Sequence, residues 1–231
     1  MKLRKHLLAS SAALAICAAT TQAEASPFYF SVLGGPNWAE DERLITSNST
    51  TADINFDTGF VIGGAFGVHL DKWLKGLKVE VEAAYRRNNL DGHFTTSDGT
   101  YTGTINGHIS NFSLMANAWY EIDIGSKVRP YVGGGAGWAK ANLHEGWVWS
   151  TGDSYTSYTI ENSGFAYQLG IGVIYEIMRG VDVGVGYRYF DGPNLSAYSN
   201  NNNISAAASY GSDKIDNINH SVAVNLTIDI D

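Results

Sequence analysis

Lys78, Glu80, Glu82 and Arg86 stand on alternating positions of one stretch, interleaved with Val79, Val81, Ala83 and Tyr85. Residues two apart on a strand share a face, so a strand here carries charge on one side and hydrocarbon on the other. Clustered carboxylates and cations can move protons, pass ions or simply pair. Glu121, Arg129, Glu176, Asp182 and Arg188 occupy the same kind of face in other alternating runs. If the nine converge on one enclosed space, internal ion pairs that take the place of water are the plain expectation. A gated path for ions is the sharper one.

A second constellation is His108-Ile109-Ser110-Asn111. His108 and Ser110 share a face, and a histidine beside a serine is the beginning of a nucleophile–base pair. An acidic residue on that face, needed to orient the imidazole, is missing. His93, His108, His144 and His220 fall in or beside the longer polar segments, where convergent imidazoles can hold haem or a metal. Their spacing matches no ligand motif. Neither G-x-S-x-G, a P-loop nor H-E-x-x-H occurs. No catalytic residue, cofactor or metal is therefore expected. Trp147, Trp149, Tyr155 and Tyr158 are placed either to contact protein or glycan, or to pack on their own hairpin.

The elements that must position these residues show in the alternation. Residues 129–139, RPYVGGGAGWA, put Tyr131, Gly133, Gly135 and Gly137 on one face and Val132, Gly134, Ala136 and Trp138 on the other. Glycine loses the most backbone freedom on folding and packs nothing, so such a strand is costly in a water-soluble sheet. It is tolerable where one face meets crowded side chains across a narrow lumen and the other meets lipid. Seven more alternating runs occur at 27–38, 58–70, 77–87, 108–123, 163–177, 181–190 and 219–230. The 129–139 run continues to Trp149 beyond the membrane, with Ser150–Ser154 as its loop tip, and polar stretches at 39–57, 88–107 and 191–217 make the other long loops, alternating with short connections at 71–76, 124–127 and 178–180. Asn200–Asn203 belong to the longest stretch.

Composition agrees. Lys2, Arg4, Lys5 and His6 precede an apolar segment at 7–19, and Ala23-Glu24-Ala25 offers a cleavage site, so residues 1–25 read as a secretory signal and 26–231 as one domain. The single cysteine, Cys17, lies in that signal, which leaves no disulfide or thiolate site in the rest. Without Lys2, Arg4, Lys5 and Glu24, the 15 basic and 23 acidic residues fall to 12 and 22, a net charge of −10 that argues against a nucleic-acid partner. No later segment approaches the roughly 20 apolar residues of a spanning helix. Gly (26), Tyr (13) and Trp (6) are abundant, as in exported β-sandwiches and outer-membrane barrels. Eight runs with alternating long and short gaps favour the barrel. Trp38, Trp73, Tyr85, Tyr120, Trp138, Tyr175 and Tyr189, near run ends, suit its interfacial girdles.

RPYVGGGAGWA, KVEVEAAYRR, YQLGIGVIYEI and VGVGYRYFDG resemble strands of the eight-stranded barrel shared by OmpA-like and opacity-like outer-membrane proteins, especially those of alphaproteobacteria. The family's closing aromatic residue is replaced by Ile228-Asp229-Ile230-Asp231. The H-x-S-N spelling is similar to that of outer-membrane lipid A deacylases, another eight-stranded family. The resulting expectation is an all-β, eight-stranded, antiparallel up-and-down transmembrane barrel, monomeric and non-catalytic. It would stand in outer-membrane lipid and lipopolysaccharide. Four long loops would serve adhesion, host contact or envelope integrity. A narrow porin is the first alternative, and a lipid A-modifying enzyme using His108 and Ser110 the second.

Overall fold

The computed structural model describes residues 27–40, 42–45, 51–95, 99, 102–149, 155–196 and 214–230. The expected signal (1–25), the Ser150–Ser154 loop tip, Asn200–Asn203, and the side chains of Trp147, Trp149, Tyr155 and Tyr158 lie outside the described residues. The described elements are β1 (Phe28–Ala39), β2 (Glu42–Ile45), β3 (Thr51–Phe56), β4 (Gly59–His69), β5 (Leu77–Thr95) and β6 (Thr102–Glu121), followed by β7 (Val128–Trp149), β8 (Tyr155–Met178), β9 (Val181–Asp191), β10 (Leu195–Ser196), β11 (Lys214–Ile215) and β12 (Ile218–Asp229). Every pairing is antiparallel.

Eight of these strands form a closed wall in the order β1-β4-β5-β6-β7-β8-β9-β12. Closure comes from β12 pairing back onto β1, from Tyr29↔Asp229 to Ala39↔Asn219. Short connections at 70–76, 122–127 and 179–180 share one end of the barrel with the start of β1 and the end of β12. Each of them turns at a glycine of positive φ, Gly76 (83°), Gly125 (72°) and Gly180 (77°), a region that side-chain-bearing residues disfavour.

The faces follow the alternation. Val81 is 63% exposed, whereas Glu82 is fully buried. Phe165, Tyr167, Leu169, Ile171, Val173, Tyr175 and Ile177 form an exposed apolar row along β8. On β6 that outward row runs from Tyr120 up to Phe112, and on β7 from Val132 to Trp138. Trp38, Tyr120, Trp138 and Tyr175 are exposed on the wall, while Trp73, at 88% exposure, projects from a short connection.

Three expected loops are corrected. Most of 88–107 is strand, because β5 continues to Thr95 and β6 begins at Thr102. The 39–57 stretch contains the β2–β3 hairpin, whose second strand extends the wall beside β5 through Thr51↔Thr95 to Phe56↔Leu90. Within 191–217, Leu195 pairs with Ile215 and Ser196 with Lys214. The reason is an inversion of pattern. Above Asn88 the outward residues are polar (Asn89, Asp91, His93) and Leu90 turns inward, so the strand persists after its outward face has ceased to be apolar.

Candidate functional site

The lumen is filled in layers. Nearest the short connections, Lys78 pairs with Glu121, and Arg129 reaches three carboxylates: Glu121 at 2.9 Å, Glu176 at 3.4 Å and Asp182 at 2.5 Å. Below this group a cavity of about 660 Å³ opens between the short connections, lined by His69, Asp71, Lys75, Asp123, Arg179 and Asp229 among others. At its rim His69 bonds Asp229 at 3.0 Å. Lys75 bonds Asp123 at 2.6 Å. That pairing holds the Asp123 carboxyl below its ordinary range, with help from the Gly125 amide, and raises the Lys75 ammonium.

The next layer holds the remaining charges. Glu80 accepts hydrogen bonds from Tyr29 (2.9 Å), Asn117 (3.0 Å) and Trp119 (2.7 Å). Glu82 pairs directly with Arg188 and also accepts from Gln168 at 3.2 Å. Arg86 donates to Ser113 at 3.0 Å and to Gln168 at 3.3 Å, with its guanidinium 4.0 Å from the centre of the Phe190 ring. Two carboxylates and two guanidinium groups balance here. Glu80, Glu82 and Arg86 have neutral hydrogen-bond partners as well, and the Arg188 guanidinium lies 5.0 Å from the centre of the Trp119 ring, contacts that offset the cost of burying the charges.

The inward glycines make room for this crowd. A Cβ on Gly133 would lie 2.7 Å from the Trp119 ring, and one on Gly172 would lie 2.6 Å from that of Tyr131. The same Trp119 ring would stand 2.9 Å from a Cβ on Gly170. The aromatic rings of one wall thus occupy space that glycines on the next wall leave free.

Two further layers were not singled out by sequence reasoning. Five buried asparagines cross the lumen above Arg86. Asn37 donates to Asn88 (2.6 Å) and Asn219 (2.8 Å), Asn219 to Asn217 (3.1 Å), and Asn217 and Asn111 bond each other reciprocally at 2.6 and 3.0 Å. Above them Leu90, Ile105, Ile109, Leu143, Leu195 and Ile215 form an apolar cluster. The β10–β11 pair closes over the lumen by contributing Leu195 and Ile215. The signal was present as inward asparagines at Asn37, Asn88, Asn111 and Asn219, one on each of four strands, but asparagine in a strand reads as a boundary.

His108 and Ser110 both belong to the outward face of β6, as expected. They do not assemble a nucleophile–base pair. Same-face neighbours two apart on a strand are roughly 7 Å apart, and the His108 ring lies instead against that of His144, centroids 4.7 Å apart. His220 is engaged at both nitrogens, by Tyr187 (2.5 Å) and Glu40 (3.0 Å). His93 stands apart, opposite Asp53 and Thr104. Among the described residues no group of three or more His, Cys, Asp or Glu could hold a metal.

Residues 9–224 match the outer membrane protein beta-barrel domain. The chain belongs to that family. A curated relative from Gluconacetobacter diazotrophicus, described as an outer membrane protein, is 28% identical over 222 residues, or 87% of this chain and 57% of the relative. The chain thus spans little more than half the length of that protein. Among solved structures, Neisserial surface protein A superposes with a TM-score of 0.54 at 16% identity, covering 90% of this chain and all of the other. OprG from Pseudomonas aeruginosa gives 0.49 at 15%, covering 89% and 98%. The protein is an eight-stranded barrel of the bacterial outer membrane. The short connections of this outer-membrane barrel face the periplasm and its long hairpins face outward from the cell. The exposed rows on β6, β7 and β8 are the lipid-contacting belt, bounded on the outer side by the first charged pair, Lys140–Glu161 at 2.9 Å.

Proposed function

We propose that the protein is a closed, non-catalytic surface scaffold whose barrel holds long hairpins at the cell surface for adhesion, host contact or envelope integrity. In this reading it acts as a monomer. Outer-membrane lipid and lipopolysaccharide surround its wall, host or surface ligands meet the hairpin ends, and nucleic acid has no part. One observation carries the reading: side chains cross the lumen at three successive heights, as ion pairs, as asparagines and as an apolar cluster. An eight-stranded barrel is already narrow, and the apolar layer offers a permeating ion no replacement for its water.

The periplasmic cavity of about 660 Å³ favours a second reading, a narrow channel entered from that side. Single-molecule recording in planar bilayers separates the two. The scaffold reading expects no steady openings. Steady openings lost on Glu80→Gln or Arg86→Gln would overturn it.

A further inference from the structure

His108 and His144 lie directly opposite each other across β6 and β7, on the outward face and two outward positions beyond Phe112, where the apolar belt ends. Their separation of 36 positions hides this in the sequence. The rings are 4.7 Å apart at 35°. Nδ1 of His144 lies 2.9 Å from the Thr159 hydroxyl on β8. With Nδ1–H donating to that oxygen, the tautomer is fixed and the Nε2 lone pair is free, the arrangement that orients metal-binding imidazoles. Directly opposed positions of paired strands have Cβ atoms about 5 Å apart, close enough for rotation about the side-chain bonds to bring two ring nitrogens within about 2.0–2.1 Å of one ion.

We propose that His108 and His144 form a two-imidazole site for a transition-metal cation on the outer wall of the barrel, just beyond the lipid belt. Two nitrogen donors select by ligand type, with Cu²⁺ held more tightly than Ni²⁺ or Zn²⁺. Arg87, opposite Ser110 on the neighbouring strand, sets a positive charge nearby. It repels any divalent cation, so selectivity rests on the donors: imidazole nitrogens do not suit Mg²⁺ and Ca²⁺, hard ions that bind through oxygen. Water completes the coordination on the open side. His220 cannot contribute, since both of its nitrogens are occupied by Tyr187 and Glu40.

The test uses the full chain in detergent micelles with Cu²⁺ as the probe. Titration is expected to saturate at one ion per chain, with an electron paramagnetic resonance spectrum showing two nitrogen donors. His108→Asn and His144→Asn are each expected to abolish saturable binding, and His220→Asn to leave it intact. Addition of Zn²⁺ to ¹⁵N-histidine-labelled wild-type protein should move two imidazole signals and no others, a readout independent of whether a variant folds. The proposal is overturned if no saturating site appears, if either of the first two variants keeps both nitrogen donors, or if millimolar Mg²⁺ displaces Cu²⁺.

Discussion

Along the lower half of β5, Glu80 and Glu82 point into the lumen and Val81 looks into lipid. Eight residues beyond Glu82 on the same strand, Leu90 is buried while Asn89 and Asp91 are exposed. The backbone alternation never breaks, yet the chemistry of the two faces changes places. What differs is the solvent outside the wall. Hydrocarbon accepts only apolar side chains, so the lower interior collects the charges and must satisfy them mutually. Above the belt, water takes the polar face and the interior becomes an ordinary apolar core. The five asparagines lie where the two regimes meet, and their amides can bond both to one another and to loop backbone, as Asn88 does with the Asp57 carbonyl at 2.9 Å.

Removing one charge from the lower region should have the largest effect. Arg188→Ala leaves Glu82 buried without its direct partner, and loss of about 3–5 kcal/mol is expected, measurable as a shift in the urea midpoint of unfolding from lipid vesicles. A smaller loss would mean that Arg86 takes over the pairing. Next comes a test of the outward faces. Val81→Lys should cost about 2–4 kcal/mol, the penalty for a cation at mid-belt, whereas Asn89→Lys should stay within about 0.5 kcal/mol. Equal effects at the two positions would erase the boundary drawn here.

The asparagine layer ranks third. Asn217→Ala strands the buried Asn111 amide, at about 1–3 kcal/mol, and should speed amide hydrogen exchange around β11 more than around the periplasmic connections. The weakest effect is expected at the exposed Lys75–Asp123 pair. Lys75→Ala should change stability barely at all in ordinary salt. The Asp123 carboxyl is depressed in the folded protein, so its contribution is present above the unfolded pKa and disappears as pH falls through the folded one. Lys75 is raised, so its contribution holds below its unfolded pKa and fades as pH climbs through the folded one. In the variant the Asp123 step should fade from the acid limb of the pH–stability curve, and the Lys75 step from the alkaline limb.

The barrel, the strand count and the facing of Lys78, Glu80, Glu82, Arg86 and Arg188 were legible in the sequence, because alternation in the belt sets charge against hydrocarbon at every step. Of the outer extensions only that of the fifth run, to Trp149, was legible. Leu90 and Ile105 alternate with polar residues just as regularly, but in the opposite sense, and a reader looking for apolar residues outside takes the reversal for a loop. Nor was the His108–His144 encounter legible, since register between strands depends on where the connecting turn closes, and local spacing carries no trace of it.

At 24 residues, β8 is far longer than any bilayer requires. A strand of that length tilted by about 40° rises on the order of 60 Å, against a hydrocarbon belt of roughly 25 Å. The hairpin it shares with β7 therefore stands clear of the headgroups by a distance comparable to the belt itself. An antibody or a neighbouring cell would touch the end of that mast long before it approached the lipid.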